Sequence, residues 1–131
     1  MILADTSAWV EYDRATGSPV DRRMLQLIEA DGPLAVTEPV VMEVAAGART
    51  TGREADLRRL LGRFELLPFH SPSDFDAATK IYRICRQAGV TPRGLLDCMI
   101  AAVALRSDAS LLTADADLVR VARIMDLRLD C

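Results

Sequence analysis

The chain has 131 residues, half of them hydrophobic and 27% charged, the make-up of one folded domain with a core of its own. A net charge of −3 argues against gripping nucleic acid through a global positive field, and no apolar run approaches the roughly 20 residues that a membrane-crossing helix needs. The start Met1-Ile2-Leu3-Ala4-Asp5 meets an acid at once and lacks a basic leader, so no signal peptide and a cytoplasmic location are expected.

In chain order, residues 2–5 read as a short buried strand, and 6–14 and 20–30 as helices separated by Thr16-Gly17-Ser18-Pro19. Pro19 suits a first helical turn, and Met24, Leu25, Leu27 and Ile28 recur at helical spacing. Asp31-Gly32-Pro33 breaks the chain before a second strand, Leu34-Ala35-Val36-Thr37. A helix runs from about Pro39 to Ala48, and another over 53–63 with Leu57, Leu60, Leu61 and Phe64 on one face. Glu65 to Pro68 reads as a strand. Residues 73–88 are a helix with the stripe Phe75, Ala78, Ile81, Tyr82 and Cys85, stopped by Gly89. A helix over about 94–106, a strand at 110–113, a helix over 115–125 and a last strand at 127–129 complete the chain. Short apolar strands alternating with helices predict a parallel sheet covered on both faces, with ligands beyond the carboxyl ends of its strands.

Five acids fall where such a sheet would gather them: Asp5, Glu43, Asp97, Asp115 and Asp117. Asp5 and Asp115 stand at strand carboxyl ends, and the others lie within or at the start of helices among apolar neighbours. Buried carboxylates are costly unless paired or bound to a cation. Two unit charges at 4 Å repel by about 4 kcal/mol at an effective dielectric near 20. Carboxylates without His or Cys select Mg²⁺ or Mn²⁺, which can activate water and clamp a phosphodiester. Thr6, Ser7 and Thr113 flank the acids and can orient water or phosphate through their hydroxyls. Each acid also has a purely structural use: Asp5 and Asp115 as helix caps, Glu43 as a partly exposed helix acid, Asp97 and Asp117 as first-turn acids facing the helix dipole. Their joint placement is what points to a metal site.

The opening Met1-Ile2-Leu3-Ala4-Asp5-Thr6-Ser7-Ala8-Trp9-Val10-Glu11-Tyr12 resembles that of PIN-domain ribonucleases, in particular the VapC toxins of bacterial toxin–antitoxin pairs. Thr37 to Val44, Leu95 to Ala102 and Leu112 to Leu118 continue the likeness in order and spacing, so it covers the whole chain as a single domain, 1–131. The resemblance implies a three-layer α/β/α fold with a short central parallel sheet and Mg²⁺- or Mn²⁺-dependent cleavage of RNA. It also implies a homodimer, and neutralisation by a VapB-like antitoxin in a toxin–antitoxin hetero-oligomer. By that resemblance Asp5, Glu43, Asp97 and Asp115 are the catalytic acids, and the metal is held by Asp5, Asp97, Asp115 and Asp117, with the choice between the last two open. Thr6 matches the family's hydroxyl beside the first acid and Arg93 a basic position that meets RNA phosphate or the antitoxin; with Thr113, read from its flanking hydroxyl, they are the expected substrate-side residues. The chain departs from the family at Asp13, where an aromatic or aliphatic residue is expected, which bears on local packing or the dimer edge.

Other features are weaker. His70, the only histidine, has no partner at triad or metal spacing and reads as a loop residue. Trp9, Val10 and Tyr12 read as core or dimer contacts. Arg49, Arg53, Arg58, Arg59 and Arg63 form either a solvated face or a track for RNA or an antitoxin. Cys85, Cys98 and Cys131 include no CxxC pair and read as buried or incidental thiols. A phospho-receiver would want adjacent acids after the first strand and a lysine at a later strand end, whereas Lys80 lies mid-helix. A nucleotide-binding Rossmann domain would want a Gly-rich loop. The competing reading is a PIN-like metal-binding module that acts through a protein partner without nuclease turnover.

Overall fold

The computed structural model describes residues 1–130. Short apolar segments form β1 (Ile2–Ala4) and β2 (Leu34–Val36) in the middle of the sheet, with β3 (Glu65–Leu66) and β4 (Ser110–Leu112) at its two edges. The order is β3-β2-β1-β4 and every pairing is parallel. Seven helices accompany the strands among the described residues: α1 (Thr6–Asp13), α2 (Pro19–Glu29), α3 (Glu38–Ala46), α4 (Thr51–Leu61), α5 (Ser73–Gln87), α6 (Leu95–Arg106) and α7 (Ala116–Ile124). This is the expected three-layer α/β/α architecture. Both faces of β1 and β2 are buried, as the lack of polar alternation in their sequences requires, whereas both residues of β3 are exposed.

Helix starts follow from local chemistry. The Asp5 carboxylate caps α1 by accepting from the Ala8 N–H, Ser18 caps α2 ahead of Pro19, Thr50 caps α4, and Asp115 caps α7. Helix α5 ends at Gln87 with Ala88 as its C-cap, and Gly89 follows with φ +86°, where a side chain would be strained. Helix α6 is the most enclosed: Cys98, Ile100, Ala101, Ala102, Val103 and Ala104 are all buried, and it packs against α3, α5, α7 and β4. Small residues along one turn let these elements approach closely. Trp9 is buried against Tyr12 and Phe64, so it is a core residue, as expected.

Three details differ from the sequence expectation. The last strand reduces to one bridge, Leu129 beside Leu111, held by Leu111 N–H to Arg128 O and Asp130 N–H to Leu111 O, both 2.8 Å. Phe75 lies outside the core at 49% exposure and stacks edge-on against Phe69, while Ala78, Ile81 and Cys85 of the same stripe are buried. Leu25 is likewise exposed, leaving Met24 and Leu27 to face inward. Cys85 and Cys98 are free and buried, and Cys131 lies outside the described residues. Among the described residues no helix is long and apolar enough to cross a membrane.

Candidate active site

Sheet register assembles the site. Ala4 pairs with Leu112, and the Asp5 N–H continues the ladder to Leu112 O at 3.0 Å, so Asp5 and Thr113 leave adjacent strands side by side. The Thr113 hydroxyl donates to Asp5 Oδ2 at 2.7 Å, and the Ser7 hydroxyl donates to Asp5 Oδ1 at 2.7 Å while accepting the Ala114 N–H at 2.8 Å. On the other side, β2 runs directly into α3, which carries Glu43 towards α1, where the Thr6 hydroxyl donates to Glu43 Oε1 at 2.6 Å. Asp97 stands in the first turn of α6, and Asp115 caps α7 at the carboxyl end of β4.

Asp5 is 3% exposed. Burial lifts its carboxyl from 3.8 to about 6, against the lowering pull of its bonds to Thr113, Ala8 and Ser7, and the Asp115 charge adds to the rise. Asp97 is half-buried, and its carboxylate makes no hydrogen bond to the described residues. Burial, then the charges of Asp115, Asp5, Glu43 and, least, Asp117, push it to about 7. The charges of four acids from three other segments of the chain therefore add to burial in resisting ionisation of Asp97. This is charge crowding of the kind that a cation relieves.

The remaining acids are occupied. Both oxygens of Asp115 accept from Arg93 Nη2, at 2.8 and 2.7 Å, and Oδ1 also accepts the Asp117 N–H. Asp117 is buried, with Oδ2 accepting the Arg93 backbone N–H at 2.8 Å and Oδ1 accepting from Arg120 Nη2 at 3.1 Å. The Arg93 N–H bond, outweighing burial, and the Arg120 and Arg93 charges hold its carboxyl below the usual range. As the side chains stand, no three carboxylate, imidazole or thiol groups among the described residues form a ready metal cage. In this arrangement Glu43 is bonded to Thr6 and Asp115 to Arg93. The donor set nevertheless fits a hard divalent ion, being all oxygen, anionic and crowded around one unbonded carboxylate.

Thr6 and Thr113, expected on the substrate side, spend their hydroxyls on Glu43 and Asp5 in this arrangement. Sequence reasoning undervalued Ser7, whose place two residues after the capping Asp5 is an Asx-type signal. It missed Arg120, whose i+3 spacing from Asp117 was the available clue. His70 is an exposed loop residue whose backbone N–H donates to Asp74. Asp13, the departure from the family pattern, pairs with Arg53 across α1 and α4.

A PIN-domain family model matches residues 2–124. The chain is 45% identical over 130 residues to a VapC ribonuclease of Mycobacterium bovis and to ribonuclease VapC11 of Mycobacterium tuberculosis, covering 98% of this chain and 96% of each relative. Among solved structures, the fold matches a chain of the VapBC2 complex of Rickettsia felis bound to a promoter DNA fragment, with TM-score 0.75 and 21% identity over 99% of this chain and 98% of that one. Sequence and fold thus agree that this chain belongs to the PIN-domain family, among its VapC ribonucleases.

Proposed function

We propose that the protein is a metal-dependent endoribonuclease toxin of the VapC kind, hydrolysing RNA phosphodiester bonds and neutralised by a VapB-like antitoxin. The observation that carries this reading is the gathering of the acids at one rim of the sheet: Asp5 is bonded to Thr113 just before Asp115, Glu43 is bonded to Thr6 just after Asp5, and their charges, after burial, push up the Asp97 carboxyl. These four acids would hold Mg²⁺, with Mn²⁺ as a substitute. When bound, such an ion supplies a lowered water pKa and neutralises charge at the phosphodiester. Asp5 is fixed by Ser7, Thr113 and the start of α1, so its carboxylate is preorganised. Glu43 is held by one hydroxyl on a partly exposed helix face and is freer to turn. Single-stranded RNA is the reachable substrate, because its backbone can bend onto an open rim.

The antitoxin reading is supported by a cleft of about 500 Å³ between α1, α3 and α4 that reaches Glu43, with Trp9, Val44 and Leu57 in its wall and Arg14, Arg49 and Arg53 at its rim. A homodimer is supported by Met42 and Leu95, both more than half exposed on helices that pack together.

The test uses purified protein, total RNA and Mg²⁺ or Mn²⁺, alongside Asp97→Asn purified identically. Cleavage that needs the divalent ion and falls at least about 100-fold in the variant supports the reading. Equal cleavage by both proteins removes Asp97 from the mechanism. Absence of cleavage by antitoxin-free parent protein leaves the partner-binding module.

A further inference from the structure

We propose that Arg93 and Arg120 form a two-arginine clamp for an RNA phosphate beside the acid cluster, and that buried Asp117 is the positioning residue that aims them. This rests on the ribonuclease reading and names a part of the substrate path.

The Asp117 carboxylate is only 5% exposed, and its two oxygens face two different segments. Oδ2 receives the backbone N–H of Arg93 from the loop before α6, across 24 residues, with Arg93 Nε 3.7 Å away. Oδ1 receives Arg120 Nη2 from one turn further along α7. One buried anion therefore fixes the loop that leads into Asp97 and draws two guanidinium groups to the same spot. Removing it would leave the Arg93 N–H without its acceptor and the Arg120 side chain without its anchor, with the Arg93 side chain held by Asp115 alone.

The two arginines are oriented but not saturated. A guanidinium carries five N–H donors in a planar fork. Arg120 spends one of them on Asp117, and its side chain is 54% exposed. Arg93 directs Nη2 to Asp115 and is 72% exposed. Both line an open groove of about 490 Å³ with Ser7, Ala114 and Ala116, whose small side chains leave room for a sugar–phosphate chain. The same groove contains Asp115, so a phosphate held there lies next to the scissile position. Forked donors beside an all-acid site also answer an electrostatic problem. The approaching RNA is an anion, and the acid cluster alone would repel it.

Binding is measured apart from turnover, in Asp97→Asn protein, by fluorescence anisotropy of a labelled 12-nucleotide single-stranded RNA over a range of salt. Each phosphate contact on a single strand contributes about 0.7 to the slope of log affinity against log salt. Arg120→Ala and Arg93→Ala are each expected to lower that slope by about 0.7 and to weaken binding uniformly across RNA sequences. Arg120→Lys is expected to restore the slope. Arg128→Ala, which removes an exposed arginine paired with Asp108, is expected to leave it unchanged. The positioning role is read from hydrogen exchange at the Arg93 amide, protected in the parent and unprotected in Asp117→Ala. An unchanged slope in Arg120→Ala, an equal loss in Arg128→Ala, or no RNA binding by the parent overturns the clamp. A protected Arg93 amide in Asp117→Ala overturns the anchor. Failure of the clamp with intact RNA cleavage leaves the ribonuclease reading standing, whereas absence of cleavage removes that reading whatever the slopes show.

Discussion

Replacing Asp97 by Asn should stabilise the metal-free protein, although it removes a residue of the proposed site. The carboxyl rises from 3.8 to about 7 because of burial first and the neighbouring acids next. At about 1.4 kcal/mol per pH unit, that rise sets a ceiling of about 4 kcal/mol on the cost of ionising it in the folded state. Asp97 is only half-buried, so solvent screening reduces the expected gain to about 1–2 kcal/mol. The sign is fixed by linkage. Below pH 3.8 the group is neutral in both states and costs nothing. As pH rises, the unfolded chain gives up its proton first, and the penalty grows until about pH 7, above which it is constant. Asn carries no charge and makes no such transition. Since Asp97 accepts no hydrogen bond from the described residues, the substitution sacrifices no such partner there. Thermal melts in chelator should therefore show the variant about 3–8 °C more stable at pH 8, with a smaller gain at pH 5. A variant less stable than the parent at pH 8, or a gain independent of pH, would refute the crowding argument.

Added Mg²⁺ should raise the melting temperature of the parent, approaching about 2.7 kcal/mol of stabilisation at a hundredfold excess over the dissociation constant, and should do so much less for Asp97→Asn. Calorimetric scans with and without the ion check this. Arg106→Ala should destabilise the fold by about 3 kcal/mol, because it leaves Asp74, 2% exposed, with an uncompensated charge. Burial raises the Asp74 carboxyl, but Arg106 and the His70 N–H more than offset this and hold it below its ordinary range. Stability from this pair is therefore present above pH 3.8 and lost as pH falls below it, so urea titrations of parent and variant should converge in acid. Burial pushes the Cys98 thiol up to about 12, with the adjacent Cys85 and Asp97 adding to it. Native protein should therefore leave Cys98 unlabelled by a thiol reagent at pH 8, and labelling at the rate seen in urea would contradict the packing.

Where the sequence was legible, local chemistry and burial agreed. Leu34-Ala35-Val36 has no polar alternation and became a strand buried on both faces, and Ser18-Pro19 opened α2 as its cap and first turn. Asp5 and Asp115 illustrate two readings that coexist. Each caps a helix and each joins the acid cluster, because a parallel strand that runs straight into a helix puts the cap position at the sheet's carboxyl rim. Leu127-Arg128-Leu129 alternates like a strand, yet after Leu127 its backbone meets the sheet through Leu111 alone. Phe75 sits at helical spacing with Ala78 and Ile81, but near the helix start it finds Phe69 from the preceding loop instead of the core. Arg120 was within reach through its i+3 spacing from Asp117, but the role of Asp117 was not, because the deciding bond joins it to a backbone N–H 24 residues away.

The central claim is that one divalent ion is shared by acids drawn from four segments of the chain. Mn²⁺ binding, followed by electron paramagnetic resonance in Asp5→Asn, Glu43→Gln, Asp97→Asn and Asp115→Asn, tests it most directly. Weaker binding in every variant, accompanied by loss of RNA cleavage, is the expected result. Parent-like Mn²⁺ affinity in all four would contradict the account.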